Sequence, residues 1–214
     1  ALGGVRRDFE ALAVDRSRPR PLIGIVGEMY VRSSKFSNED LVRKIEALGG
    51  KVWLSTVEEW LYYLNATGLR RSLINRDWSA ILDYLVKKKV KDSVEHGYAR
   101  HFKGFLNTLH EPSIKELFRK AAPYVDSSFE GETVLSIGKA VDLAEKGAAG
   151  IVNAMPFGCM PGTIVTALMR AVSRDFAIPC ISVPYDGTES TTTRLSLEAF
   201  MDQARSRADR SIRS

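Results

Sequence analysis

The chain has 214 residues, of which 44% are hydrophobic and 27% charged, a composition typical of a globular domain that builds its own core. No apolar stretch approaches the ~20 residues of a membrane span and no signal-peptide pattern occurs, so we expect a cytoplasmic protein without a membrane partner. The net charge of +5 comes largely from arginines near both ends, and no nucleic-acid-binding signature accompanies them. Nucleic acid is therefore not expected as a partner either.

The first part of the chain predicts a leading segment and a βαβ unit. Residues 1–20 are predicted to form a short helix and a basic linker, as expected for a fragment of a larger multidomain protein. Residues 21–26 form a continuous apolar run typical of a parallel strand covered on both faces. A helix capped by Ser37 or Asn38 follows, ends at a glycine pair, and leads to a second strand over 51–54.

The rest of the chain predicts a helical insertion followed by two further strands. Residues 56–125 are helical by pattern and form an insertion longer than a simple crossover needs. A helix over 133–146, a strand over 150–154, a further helix, a strand over 178–183 and a last helix follow. We predict a single α/β lobe over 21–214: an open parallel sheet of about four strands with flanking helices, Rossmann- or flavodoxin-like, plus the insertion.

Three loops follow strand ends and are expected at the sheet edge where open parallel sheets bind ligands. The first carries Glu28, Tyr30 and Arg32, which would point the same way if the extended backbone continued; a surface ion pair is the simpler alternative. The second carries Cys159. The third carries Asp186 in a hydroxyl-rich turn that can cap a helix or bind an anion.

Cys159 stands at the predicted start of a helix. A sulfur close to the first-turn N–H groups is held more easily as a thiolate, the form that binds metal or attacks an electrophile. The alternative is a small hydrophobic residue buried in a tight turn. Cys180 lies inside a predicted strand, where we expect a packing role. His96, His101 and His110 all fall in the helical insertion without the spacing of a zinc site.

Three segments together resemble a known family. They are RPLIGIVGEMYVRSSKFSNEDLVRKIEALGGKVW, GIVNAMPFGCMPGTIVTAL and IPCISVPYDGTESTTTRLSLEAF, spread between about residues 18 and 204. They are similar to the dehydratase-like region of the large CoA-substrate-specific enzyme activases, relatives of the 2-hydroxyacyl-CoA dehydratase system of anaerobic metabolism. The resemblance implies α/β lobes around an iron–sulfur cluster, such as a [4Fe–4S] cubane, and an actin-like ATPase component that supplies low-potential electrons.

Carried onto this chain, the resemblance implies that Cys159 is a cluster ligand. A cubane takes three or four cysteines, so the other ligands are expected from outside this chain, and the isolated chain is expected to hold no cluster and to be inactive. Glu198 belongs to the family's TR…EAF segment, although this chain reads the longer TRLSLEAF. The implied substrate pocket comprises Glu28, Tyr30, Arg32, Asp186, Thr193 and Arg194.

Three functions therefore follow as expectations. The leading one is a lobe of an iron–sulfur electron-transfer protein whose partners are other lobes of the parent protein, an actin-like ATPase domain and an acyl-CoA substrate. The second is a non-enzymatic regulatory or docking domain that binds a partner lobe. The third is an enzyme that uses the Cys159 thiol directly.

Overall fold

The computed structural model describes residues 2–14, 19–106, 108–129, 131–188 and 191–213, with the side chains of 211–213 left aside. Part of the predicted linker (15–18) and two residues of the third loop (189–190) lie outside this description. The chain forms two compact units. The helical unit comprises Ala1–Pro19 and Glu58–Ile114, and the sheet unit comprises Arg20–Val57 and Lys115–Ser214.

Helices outnumber strands in the described residues. The strands are β1 (Leu22–Gly27), β2 (Lys51–Leu54), β3 (Gly150–Pro156) and β4 (Cys180–Tyr185). The helices are α1 (Leu2–Glu10), α2 (Met29–Ser33), α3 (Leu41–Ala47), α4 (Glu58–Asn75), α5 (Trp78–Ala99), α6 (Ile114–Ala121), α7 (Glu132–Glu145), α8 (Met160–Phe176) and α9 (Thr191–Arg213).

The four strands form a parallel sheet in the order β2-β1-β3-β4, which confirms the predicted open α/β fold. Side chains alternate between the two faces of each strand, and both faces are apolar. Ile23 and Ile25 pack on one face against α3 and α9, whereas Val26 and Ile151 pack on the other face in the same cluster as α7 and α8. Burial on both faces explains why these strands are continuous apolar runs.

The helix α3 begins later than predicted. It starts at Leu41 because Glu39 and Asp40 both have a left-handed backbone, with φ of 51° and 55°, which a helix cannot include. Asn38 still acts at this end, since its Oδ1 accepts a hydrogen bond from the N–H of Leu41 at 3.2 Å. The predicted alternative, Ser37, instead donates to Ser34.

The predicted insertion at 56–125 is divided between the two units. Its long helices α4 and α5 belong to the helical unit, together with α1. There Arg6 of α1 donates hydrogen bonds to the carbonyls of His101 and Lys103, at 3.3 and 3.2 Å. The helix α6 instead contributes Ala121 to a core cluster of the sheet unit. No helix within the described ranges is long and apolar enough to cross a membrane.

Candidate functional site

The three predicted loops leave neighbouring strands at one edge of the sheet. β3 lies between β1 and β4, and all three run in the same direction. The pairing continues past the strand ends: the N–H of Glu28 donates to Ala154 O at 2.9 Å, and the N–H of Phe157 donates to Tyr185 O at 2.8 Å. The loops that carry Glu28, Cys159 and Asp186 therefore start side by side.

In the first loop the chain turns into the helix α2, so the extended backbone that would point Glu28, Tyr30 and Arg32 the same way does not continue. Glu28 caps α2, its Oε2 accepting a hydrogen bond from the N–H of Val31 at 2.7 Å. Arg32 is only 4% exposed and donates to the carbonyls of Gly27 and Thr56, at 3.1 and 3.0 Å. Tyr30 is 64% exposed. Because Glu28 caps α2, the backbone turns into a helix at this point instead of continuing in extended form.

Glu132 joins this loop although the sequence did not single it out. It is the first residue of α7, and its Oε1 accepts a hydrogen bond from the N–H of Met29 at 3.1 Å. Burial raises the pKa of Glu132 and the nearby Glu28 raises it further, against the lowering effects of the Met29 hydrogen bond and of Arg32. Two carboxylates thus hold the amino end of α2 beside the end of β1.

Cys159 occupies the N-cap position of α8, at the edge of the sheet. Its N–H donates to Pro156 O at 3.1 Å, and its carbonyl accepts from the N–H and the hydroxyl of Thr163, at 2.9 and 2.8 Å. The residue is partly exposed and its side chain makes no capping hydrogen bond. Phe157 and Met160, on either side, are 75% and 71% exposed. The thiol therefore does not lie in the interior.

Asn153 connects the sheet to the first turn of α8 and was also missed from the sequence. It is fully buried in β3, and its Nδ2 donates to Ser182 Oγ at 3.0 Å and to Gly162 O at 3.2 Å. Its Oδ1 has no hydrogen-bond partner among the described residues. It lies against Gly27, where a Cβ would come within 2.7 Å of it. Asn153 fixes the helix start that carries Cys159.

The third loop presents polar groups to solvent. Asp186 Oδ1 accepts from the hydroxyl and the N–H of Thr188, at 2.6 and 2.9 Å, and these bonds lower the pKa of Asp186. Arg194 is exposed and its Nε lies 3.9 Å from Glu198 Oε1, an ion pair one turn apart along α9. Thr193, which precedes Arg194 in α9, is partly exposed.

The described residues do not build a complete metal centre. No group of three or more His, Cys, Asp or Glu side chains within them is arranged to hold a metal ion. Cys180 pairs with Ile151 near the start of the strands, about 17 Å along the strand direction from Pro156 at their end, and Cys159 lies beyond Pro156. Burial raises the pKa of Cys180 to about 12. At this edge of the sheet, Cys159 is therefore the one cysteine of the chain that could bind a cluster.

Comparison with known proteins identifies no relative of this chain. No protein-family model matches the chain, and no curated protein or solved structure matches it either. The resemblance to the enzyme activases accordingly stays a prediction from the three quoted segments.

Proposed function

We propose that this chain is one α/β lobe of an iron–sulfur redox protein related to the 2-hydroxyacyl-CoA dehydratases and their activases. In this proposal Cys159 is one thiolate ligand of the cluster. The observation that supports it best is the position of Cys159: partly exposed, at the start of the 17-residue helix α8, at the sheet edge to which both neighbouring loops lead. The first turn of a helix favours negative charge at such a position.

The cluster, when bound, would supply one-electron transfer. This chain's part is to hold the thiolate in place. The Cys159 carbonyl is tied to Thr163, and the first turn of α8 is tied through Gly162 to Asn153 of β3. The remaining ligands come from outside this chain, since Cys180 lies at the opposite end of the sheet.

The proposed substrate pocket keeps fewer contact residues than the six that the resemblance implies. The guanidinium of Arg32 is committed to two backbone carbonyls, and Glu28 caps α2, so both are positioning residues. Tyr30, Asp186 and Arg194 are exposed and Thr193 is partly exposed, and these four remain the candidates for contact with an acyl-CoA.

The test measures the cluster content of cysteine variants of the protein encoded by the natural reading frame that contains this chain, produced anaerobically. We expect Cys159→Ser to lose most of its iron and acid-labile sulfide, and most of the thiolate-to-iron charge-transfer absorbance of the cluster. Cys180→Ser is the matched control and should retain them. Full cluster content in Cys159→Ser would refute the ligand assignment. A stoichiometric cluster in the isolated 214-residue chain would refute the shared ligand set.

One observation favours a regulatory or docking lobe as the second candidate. Phe157 and Met160 place exposed apolar side chains on both sides of Cys159, as a surface covered by a partner would. In that case Cys159→Ser would keep the cluster content of the complex, and Phe157→Ser would weaken association with the partner lobe.

A further inference from the structure

A groove of about 470 Å³ runs along one side of the hairpin that α4 and α5 form in the helical unit. The two helices approach closely beneath it because α4 has Gly68 at the crossing, where a Cβ would lie 2.4 Å from Cζ of Tyr84. Asn65 Nδ2 also donates to the Tyr84 carbonyl at 3.3 Å. The groove therefore follows from the packing of the hairpin itself.

The lining of the groove includes both leucine and cationic side chains among polar ones. Leu61 and Leu64, one helical turn apart on α4, line it and are 48% and 47% exposed. Arg71, Lys87 and Lys91 line it as well. Apolar side chains laid into the groove would cover the leucines, while acidic groups beside them would meet these three cations.

Neighbouring groups hold the two lysine side chains along the groove. Lys91 Nζ donates to the Leu61 carbonyl at 3.1 Å and lies 5.5 Å from the centre of the Tyr62 ring. Lys87 Nζ donates to Asp83 Oδ2 at 2.5 Å and lies 5.8 Å from the centre of the Tyr84 ring. The one carboxylate in the lining, Asp77, already caps α5 by accepting from the N–H of Ala80 at 3.1 Å. The residues that line the groove thus comprise three cations and one carboxylate, and Asp83 pairs with Lys87 from just outside the lining.

We propose that this groove binds an acidic amphipathic helix of a partner protein. The lining extends along α4 from Leu61 to Asn75, about 21 Å, which accommodates a helix of roughly 14 residues. Charge complementarity selects an acidic partner. A second copy of this chain that docked groove to groove would instead bring the same lysine-rich stretch against itself. The proposal does not depend on Cys159 or on a cluster.

The lysine run itself supplies a matched control. Lys87 and Lys91 line the groove, whereas Lys88 and Lys89 of the same helix do not. Each pair contains one lysine in an ion pair one turn apart, Lys87 with Asp83 and Lys88 with Asp92. Lys87→Gln/Lys91→Gln and Lys88→Gln/Lys89→Gln therefore remove equal charge and one comparable ion pair each.

The probe is a synthetic 18-residue helical peptide with leucines at helical spacing and glutamates flanking them, titrated into the whole chain by fluorescence anisotropy. We expect Lys87→Gln/Lys91→Gln to weaken binding about fivefold and the control pair less than twofold. Leu64→Ser should weaken it independently, and added salt should weaken binding to the wild type. Circular dichroism verifies that each variant is folded.

Three results would overturn the proposal. They are no binding of the acidic peptide to the wild type, equal weakening by both lysine pairs, and a self-associated chain whose groove is closed to the peptide. Equal weakening would indicate attraction by net charge alone, and self-association by light scattering would make a second copy the occupant. Cys159→Ser is expected to change neither peptide binding nor self-association. This proposal and the proposed function can therefore be refuted independently of each other.

Discussion

The two cysteines differ in their surroundings, and their reactivity should differ accordingly. Cys159 is partly exposed at a helix start, whereas burial raises the pKa of Cys180 to about 12. At pH 8 only about one Cys180 thiol in ten thousand is then a thiolate. We expect iodoacetamide to modify Cys159 at least tenfold faster in the folded chain, as followed by peptide mass spectrometry. In urea the two rates should converge.

Equal rates in the folded chain would contradict this placement of the two thiols. A Cys159 rate far above that of an unstructured cysteine peptide would instead favour the third function, a thiol enzyme, because such rates need an activated thiolate.

Asp142 is a buried carboxylate that concentrates positive charge around it. It is fully buried, and its oxygens lie 2.6 Å from Lys120 Nζ and 2.7 Å from Lys146 Nζ. Asp142→Asn leaves these ammonium groups without their shared counter-charge, so we expect a loss of about 3 kcal/mol in the free energy of unfolding, measured in urea. Glu145, which also contacts Lys120 at 2.7 Å but is half-exposed, is the control. Glu145→Gln should cost less than about 1 kcal/mol, and equal losses would contradict the role of burial.

The same carboxylate predicts a dependence of stability on pH. Burial alone would raise the pKa of Asp142, but the hydrogen bonds from Lys120 and Lys146 and the charges of Lys146 and Lys139 outweigh it and lower the pKa below its ordinary value of 3.8. A lowered folded-state pKa means that the unfolded chain binds the proton first as the pH falls. Asp142 therefore contributes its full stability above about pH 5 and loses it as the pH falls through its folded pKa.

Urea unfolding between pH 6 and pH 2.5 measures this contribution. The wild type should lose more stability over this range than Asp142→Asn, because the variant has no carboxylate to protonate. Parallel losses would show that other acids cause the acid sensitivity.

At the scale of elements, the strands were predictable and the first loop was not. Each predicted strand overlaps an observed one, because a strand covered on both faces is an apolar run that sequence alone reveals. The short helix α2 has no such pattern over Met29–Ser33 and depends on the capping carboxylate of Glu28 and on Glu132, 103 residues away. The periodicity of the local sequence cannot predict a contact between residues so far apart along the chain.

The end of β1 tolerates no side chain at Gly27. Its φ is 113°, and a Cβ would lie 2.1 Å from the Ala154 carbonyl oxygen. Gly27→Ala should therefore cost more than the ~1 kcal/mol of an ordinary glycine with positive φ, measured by thermal or urea unfolding. Gly147→Ala is the control, since Gly147 has a φ of 89° with open space around its Cβ position. Similar costs for both would indicate that backbone conformation alone matters.

At the scale of the whole molecule, the two units should differ in stability. Both core clusters consist of residues of the sheet unit, whereas α5 of the helical unit leaves Trp78, Leu82 and Val86 exposed. Less burial of apolar surface gives lower local stability. We expect the helical unit to unfold at lower urea concentration than the sheet unit.

Tryptophan fluorescence can separate the two transitions. Trp53 reports on the sheet unit, and Trp60 and Trp78 report on the helical unit. Trp60→Phe/Trp78→Phe should therefore show a later transition than Trp53→Phe, provided that circular dichroism shows equal overall stability. Coincident transitions would show that the units unfold as one cooperative structure.

The sequence by itself determined the strands, the parallel α/β class and the meeting of three loops at one edge. These features depend on apolar patterning and on the rule that parallel strands end together. Only the tertiary structure decided that Arg32 is buried on backbone carbonyls, that Glu132 holds α2, that Asn153 ties α8 to the sheet and that Cys180 lies far from Cys159. The physical reason is that these contacts join different elements, from 9 to 103 residues apart, whose relative placement arises from packing and is not encoded in local periodicity.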